Sequence, residues 1–280
     1  MTDDDPWRIA RRAWQLAPTS CPPSCRGYHR LWPTVRLLGL GAGPDRHLDW
    51  FRRQLPSPGT AARRPRILVS GLADPAMFDL VRTITDGEQP EIVVLDRCPT
   101  PVALCQPESD EDDREPPAAG VVADVLDHTD PQGFDLITTH SFVSQMPAEG
   151  RSLLAVRWHD LLRPGGRIVT NTRLAPATRD TFEDDRTARL RGAVDERLAA
   201  IDPSLLPATR HELLDAVDAY AASVTIHPLG TTDEVRSLFE DAGLTVDLRV
   251  VRAGSTLPAG AGPGTAQTAD YVELVATRPA

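Results

Sequence analysis

Residues 66–74 read RILVSGLAD. Ile67, Leu68 and Val69 form a short apolar run, and Ser70, Gly71, Leu72, Ala73 and Asp74 make a turn rich in small residues. A helical pattern opens at Pro75 and runs to residue 85, with Met77, Leu80, Val81 and Ile84 on one face. Strand, tight turn and helix in this order bring backbone N–H groups close to a nucleotide-like ligand. The turn is poor in glycine, so the rest of the chain has to decide whether it holds one.

Downstream, strand and helix patterns alternate. EIVVLD (91–96) is a near-continuous apolar run, as expected of a strand buried on both faces. A short helix over 99–106, an acidic and proline-rich solvated loop over 107–117, and strands over 120–124 and 133–140 follow. A helix over 148–162, the turn RPGG (163–166) and a strand over 167–174 continue the series. This order predicts an α/β fold with a doubly wound, mostly parallel sheet. Residues 175–224 interrupt it with two amphipathic helices, an insertion able to lie over the C-terminal edge of the sheet. A helix over 231–244, capped at Thr232 and ended by Gly243, then leads to strands over 245–253 and 270–278, separated by a Gly/Pro/Ala-rich loop. Two strands with no helix between them predict an antiparallel hairpin at a sheet edge, giving seven strands in all.

Upstream, helical spacing covers 7–17, 28–38 (with Pro33 in its first turn) and 45–55 (with Asp45 as cap). Residues 18–27 read as a proline-rich break and 56–65 as a linker. Residues 1–60 are thus expected to form an aromatic-rich helical lid, beside a domain spanning 66–280 with its insertion at 175–225. Gly39-Leu40-Gly41-Ala42-Gly43 imitates a glycine-rich nucleotide loop. It follows a helical pattern rather than a strand, so it reads as a helix C-cap and turn.

Composition narrows the function. The net charge of −10 argues against a nucleic-acid backbone as main partner. The absence of an 18-residue apolar run excludes a membrane helix. The acidic start MTDDDPWRIARR lacks a signal core, so a cytoplasmic location is expected. All 30 basic residues are arginine, which excludes Schiff-base lysine chemistry and a P-loop lysine. The four cysteines (Cys21, Cys25, Cys98 and Cys105) read as free thiols. Cys21 and Cys25 have C-x3-C spacing around two prolines, with no second Cys/His pair nearby in sequence, so no metal is expected.

Seven strands ending in a hairpin, with a ligand turn after the first, resemble the class I S-adenosylmethionine-dependent methyltransferases, over residues 66–278. Ile67 to Ala73 lies where that family has its glycine-rich motif. Asp96 ends the second strand 25 residues after Gly71, where the family has an acid for the ribose hydroxyls. Asp124 follows the third strand, at the position that meets the adenine amine. Phe134-Asp135-Leu136-Ile137 with Thr139-His140-Ser141 matches the fourth-strand motif beside the methionine portion. Leu161-Leu162-Arg163-Pro164-Gly165-Gly166 matches the helix-turn before strand five. The chain departs from the pattern at Ser70, where an acid is usual, and at Asp74, where a small residue is usual.

The resemblance implies S-adenosyl-L-methionine as cofactor, held by Ser70, Gly71, Ala73, Asp74, Asp96, Arg97, Cys98, Asp124, Val125, His140 and Ser141. Cys98 and Val125 would flank the adenine. Asp74 could bind the methionine ammonium or simply cap the following helix. His140 is the candidate base, or else a structural histidine. Tyr28, His29 and Trp32 could cover the sulfonium or only pack the lid. Arg173 and Asn171 could orient a polar substrate, and Ser141 and Gln145 could hold substrate or the methionine carboxylate. The expected activity is methylation of a small molecule in specialised metabolism, with no nucleic-acid or membrane partner, while a homodimer stays open. A cyclase or lyase acting on S-adenosylmethionine itself, and a non-catalytic binding protein, are the alternatives.

Overall fold

The computed structural model describes residues 5–55, 64–107, 118–174, 183–224, 226–252 and 270–280. Residues 56–63 of the expected linker (56–65), 108–117 of the acidic loop (107–117), the start of the insertion (175–182) and the whole loop expected over 254–268 lie outside the described residues.

Seven strands form one sheet: β1 (Arg66–Ser70), β2 (Glu91–Asp96), β3 (Ala119–Val122), β4 (Phe134–His140), β5 (Leu162–Arg173), β6 (Thr245–Val251) and β7 (Tyr271–Thr277). Their order is β3-β2-β1-β4-β5-β7-β6. The first five pair in parallel, and β7 runs antiparallel between β5 and β6. The apolar runs feed both faces of the sheet. Ile67 and Val69 of β1, with Ile92 and Val94 of β2, face a core shared with α3 (Leu48–Gln54), α4 (Ala76–Thr85) and α5 (Pro99–Leu104). Leu68, Val93 and Leu95 face a second core shared with α6 (Ala148–Leu161) and α9 (Thr232–Glu240), where Trp158 and Phe239 stack. This is the doubly wound arrangement expected from the alternation.

The LLRPGG stretch behaves as a turn inside an assigned strand. Phe134 pairs with Leu162 and Leu136 with Arg167, so residues 163–166 bulge out of the ladder. Gly165 has φ +76°, and its N–H donates to the Arg278 carbonyl. Thr231, not Thr232, caps α9 by accepting the Glu234 N–H.

Four helices make a third layer: α1 (Arg8–Ser20), α2 (Pro23–Leu37), α7 (Glu183–Leu198) and α8 (Arg210–Ser223). The proline-rich break is shorter than expected. α1 runs through Pro18, and Pro23 takes the first helical position of α2, where its missing N–H costs nothing. Pro33 therefore sits inside α2 rather than at its start. Asp45 makes no cap hydrogen bond; Pro44–His47 form a single 3₁₀ turn that leads into α3. α2 and α8 cross closely at Gly27, where a Cβ would meet the Ala219 carbonyl oxygen at 2.3 Å. Arg12 of α1 donates to the carbonyls of Ala103, Leu104 and Gln106 at the C-terminus of α5, anchoring the helical layer to the sheet.

Candidate active site

A cavity of about 660 Å³ lies at the carboxyl ends of β1, β2 and β4, roofed by α2, α7 and α8. Open α/β sheets bind ligands at this edge. Of the residues singled out in the sequence, Tyr28, Gly71, Ala73, Asp96, Arg97, Asp124, Val125, His140, Ser141 and Arg173 line it, as do His29, Trp32 and Gln145.

Three do not. Ser70 is fully buried, and its Oγ accepts a hydrogen bond from the Trp158 indole N–H at 3.4 Å. Asp74 is turned away from the cavity: Oδ1 accepts the Ala76 N–H at 2.9 Å, and Oδ2 pairs with Arg36 Nε at 2.6 Å. It both closes the turn into α4 and ties that turn to α2. Cys98 is buried behind the wall, among Cys21, Cys25 and His29, so it does not flank the cavity as expected. Asp135 lies at the opposite end of β4, where it accepts the Arg66 N–H and pairs with Arg163. Only the His140-Ser141 end of that motif reaches the cavity.

The turn after β1 is built around Asp96. Its carboxylate accepts the Leu72 N–H at 2.9 Å and the Cys98 N–H at 2.7 Å, one on each oxygen. That leaves further acceptor positions on both oxygens for a ligand. Burial pushes its pKa up to about 6. Gly71 has φ +71°, and a Cβ there would collide with the Phe142 ring at 2.3 Å. Ala73 keeps a negative φ, which makes alanine acceptable there. Asp124 accepts the Leu126 N–H through Oδ1, and Leu95, Val125 and Leu126 give the neighbouring wall its apolar surface.

At the end of β4 the backbone leaves the ordinary range. Ser141 has φ +54°, held by its N–H donating to both the backbone oxygen and Oδ1 of Asn171. Its Oγ, His140 Nε2 and Asn171 Nδ2 are buried without a hydrogen-bond partner among the described residues. Unpartnered polar groups and an unusual backbone conformation coincide at sites that await a ligand. Burial, then His47, Arg46 and Arg36, hold the His140 pKa well below its ordinary value, so the ring is neutral at pH 7. His47 packs beside it, its Nδ1 2.7 Å from Glu273 Oε1, and Glu273 also pairs with Arg249.

The roof is aromatic. Tyr28 stacks on Trp32 and on Tyr220 of α8, and Trp32 packs against Gly41. Gly39 carries the positive φ (+73°) that ends α2, so GLGAG is the helix stop expected. Leu40, Gly41 and Ala42 still contribute to the cavity wall. Tyr220, Phe142, Tyr271, His47 and Glu273 were not read from the sequence as site residues. His47 and Glu273 are 226 residues apart, so no local pattern joins them.

Solved structures with similar folds include methyltransferases. One is phosphoethanolamine N-methyltransferase 2 of Haemonchus contortus with phosphomonomethylethanolamine and S-adenosylhomocysteine (11% identity, 96% of this chain and 60% of that one, TM-score 0.56). The fold is that of the class I S-adenosylmethionine-dependent methyltransferases. Two further structures share it: the YcgJ protein of Bacillus subtilis (13% identity, 84% and 99%, TM-score 0.51) and the pyocyanin biosynthetic protein PhzM (16% identity, 95% and 61%, TM-score 0.50). No protein-family model and no curated protein matches the chain in sequence. The methyltransferase fold accounts for the strand order and for the cavity at the carboxyl edge. The cluster behind Arg97 is a feature of this chain's own residues. There, hydrogen bonding from Cys21 leads the effects that lower the Cys98 thiol, while burial of His29 is outweighed by hydrogen bonds from Cys25 and Cys98 that raise its imidazole.

Proposed function

We propose that the chain binds S-adenosylmethionine and transfers its methyl group to a small-molecule acceptor of specialised metabolism. The observation that carries this reading is the enclosure. Gly71, Asp96, Val125, His140 and Ser141 line one cavity together with the aromatic residues Tyr28, Trp32 and Tyr220 of its roof. Its volume falls in the range of about 300–1,000 Å³ usual for small-ligand sites. The acidic chain and roofed site favour a metabolite over a polymer. Two structural neighbours, one bound to phosphomonomethylethanolamine and one from pyocyanin biosynthesis, are consistent with that class.

The donor set fits the cofactor. Asp96 has free acceptor positions for adjacent hydroxyls, and Leu95, Val125 and Leu126 offer apolar contact to a flat base. Ser141 Oγ and Gln145, both on the cavity lining, would take the polar amino-acid end. When bound, S-adenosylmethionine supplies an electrophilic methyl group on a sulfonium. The chain's contribution is alignment and exclusion of water, which transfer in line chiefly requires. Neutral His140 accepts a hydrogen bond from the acceptor's hydroxyl or amine and orients its lone pair. Its low pKa makes it a weak sink for the proton. The aromatic roof formed by Tyr28 and Trp32 would favour a nearby cation. Arg173, on the cavity rim, suits an anionic acceptor.

Calorimetry with S-adenosylmethionine and S-adenosylhomocysteine tests the reading; no binding below millimolar concentration overturns it. Release of methylthioadenosine above the spontaneous background would replace methyl transfer with cleavage of the cofactor. The affinity also depends on pH in a set direction. Asp96 must be ionised to accept two hydroxyl hydrogens, and its pKa in the free protein is about 6. Binding is therefore constant above pH 7 and weakens as pH falls through 6, approaching tenfold per unit below it. A titration at pH 5.0 to 8.0 that stays flat would remove Asp96 from the ligand contact.

A further inference from the structure

We infer that Cys21, Cys25, His29 and Cys98 form a tetrahedral Cys3His site for a zinc ion. The four offer one ligand atom each, all within 4.8 Å of one another, and all four residues are buried. Cys21 Sγ lies 3.3 Å from Cys98 Sγ and 3.5 Å from His29 Nδ1. Around a zinc ion with sulfur ligands at ~2.3 Å, tetrahedral geometry spaces the sulfurs about 3.8 Å apart, so these positions need only small shifts to enclose one ion. Ligands gathered this tightly fit a single metal and leave no room for an iron–sulfur cluster. No carboxylate takes part, which argues against calcium and magnesium. Three thiols with one imidazole is a recognised zinc donor set.

Local structure explains how the set assembles. Cys25 and His29 are four residues apart on α2 and share one face. Pro22 and Pro23 fix the chain between α1 and α2, so that Cys21 folds back beside them. Cys98 is the residue preceding α5. Thr100 Oγ1, 3.0 Å from Cys21 Sγ, supplies a hydrogen bond to the ligand set. Coordination displaces the remaining S–H protons and the ring proton of the His29 imidazolium to solvent, which frees the imidazole lone pair for the metal. All four positions are filled by protein, so the ion is structural. It would staple the roof helix α2 to the segment Asp96-Arg97-Cys98, which shapes the cofactor wall.

The test is metal analysis of the full chain expressed in zinc-supplemented medium and purified without chelators. About one zinc per chain is expected, and cobalt substitution should give the intense thiolate-to-metal charge-transfer absorption of a tetrahedral sulfur site. Cys25→Ser and Cys98→Ser should each lower zinc retention at least tenfold, whereas Cys105→Ser, a buried thiol outside the set, should retain it. Should the cluster variants fail to fold, alkylation of the native wild-type chain decides. Cys21, Cys25 and Cys98 become reactive as zinc is withdrawn by a chelator if the site exists. Less than a tenth of an equivalent of zinc, iron or copper in its place, or a Cys21–Cys98 disulfide seen as a mass lower by two hydrogens, would overturn the assignment.

Discussion

Asp96→Ala lowers the affinity for S-adenosylhomocysteine by on the order of 10-fold or more, because it removes acceptors for two hydroxyl hydrogens. The substitution also reaches the protein itself. Leu72 N–H and Cys98 N–H lose their partner, at a cost of ~1–3 kcal/mol for each donor left buried, offset in part by relief from burying a charge. Asp96→Asn separates the two effects. Its remaining carbonyl oxygen still accepts one backbone hydrogen, so its melting temperature stays closer to the parent, while the charge and one acceptor are gone. Calorimetry on both variants, with circular dichroism to show that each is folded, reads the outcome. Folded Ala and Asn variants that bind like the parent would refute the ribose assignment.

Gly71→Ala destabilises the fold by about 2–4 kcal/mol, a large fraction of the ~5–15 kcal/mol that holds a domain together. Part is conformational: at φ +71° an L side chain costs ~1–2 kcal/mol. Part is steric, since the new Cβ would stand 2.3 Å from the Phe142 ring, itself packed against Trp158. Displacing that ring also pushes it into the cavity, so binding falls with stability. Denaturant unfolding of Gly71→Ala, Phe142→Ala and the double variant forms a cycle. The double variant should be more stable than the sum of the single losses allows, by the steric share alone. An additive cycle would mean that the ring is not the obstacle.

The sheet was legible because each strand announces itself locally. EIVVLD and RILVS are unbroken apolar runs, and the helices between them have clean periodicity. The final hairpin followed from the lack of a helix between β6 and β7, although sequence did not place β7 inside the sheet. Site residues were legible where they end strands: Gly71, Asp96, Asp124 and His140 all line the cavity. Ser70, Asp74 and Cys98 sit next to such positions but face elsewhere. A strand or turn turns neighbouring side chains in opposite directions, and the winning contacts, Trp158 for Ser70 and Arg36 for Asp74, lie 88 and 38 residues away. The thiols show the same limit. C-x3-C alone suggests little, and its partners become visible only when α2 packs against the end of β2.

The pairing of His47 with Glu273 has a consequence for synthesis. Glu273 is made 226 residues after His47, on the strand that fills the gap between β5 and β6. A nascent chain lacking β7 leaves one edge of β5 unpaired, strands His47, and lacks Tyr271 at the cavity. The proposed ligand site is therefore incomplete until β7 has been made, although most of the sheet is already present by then.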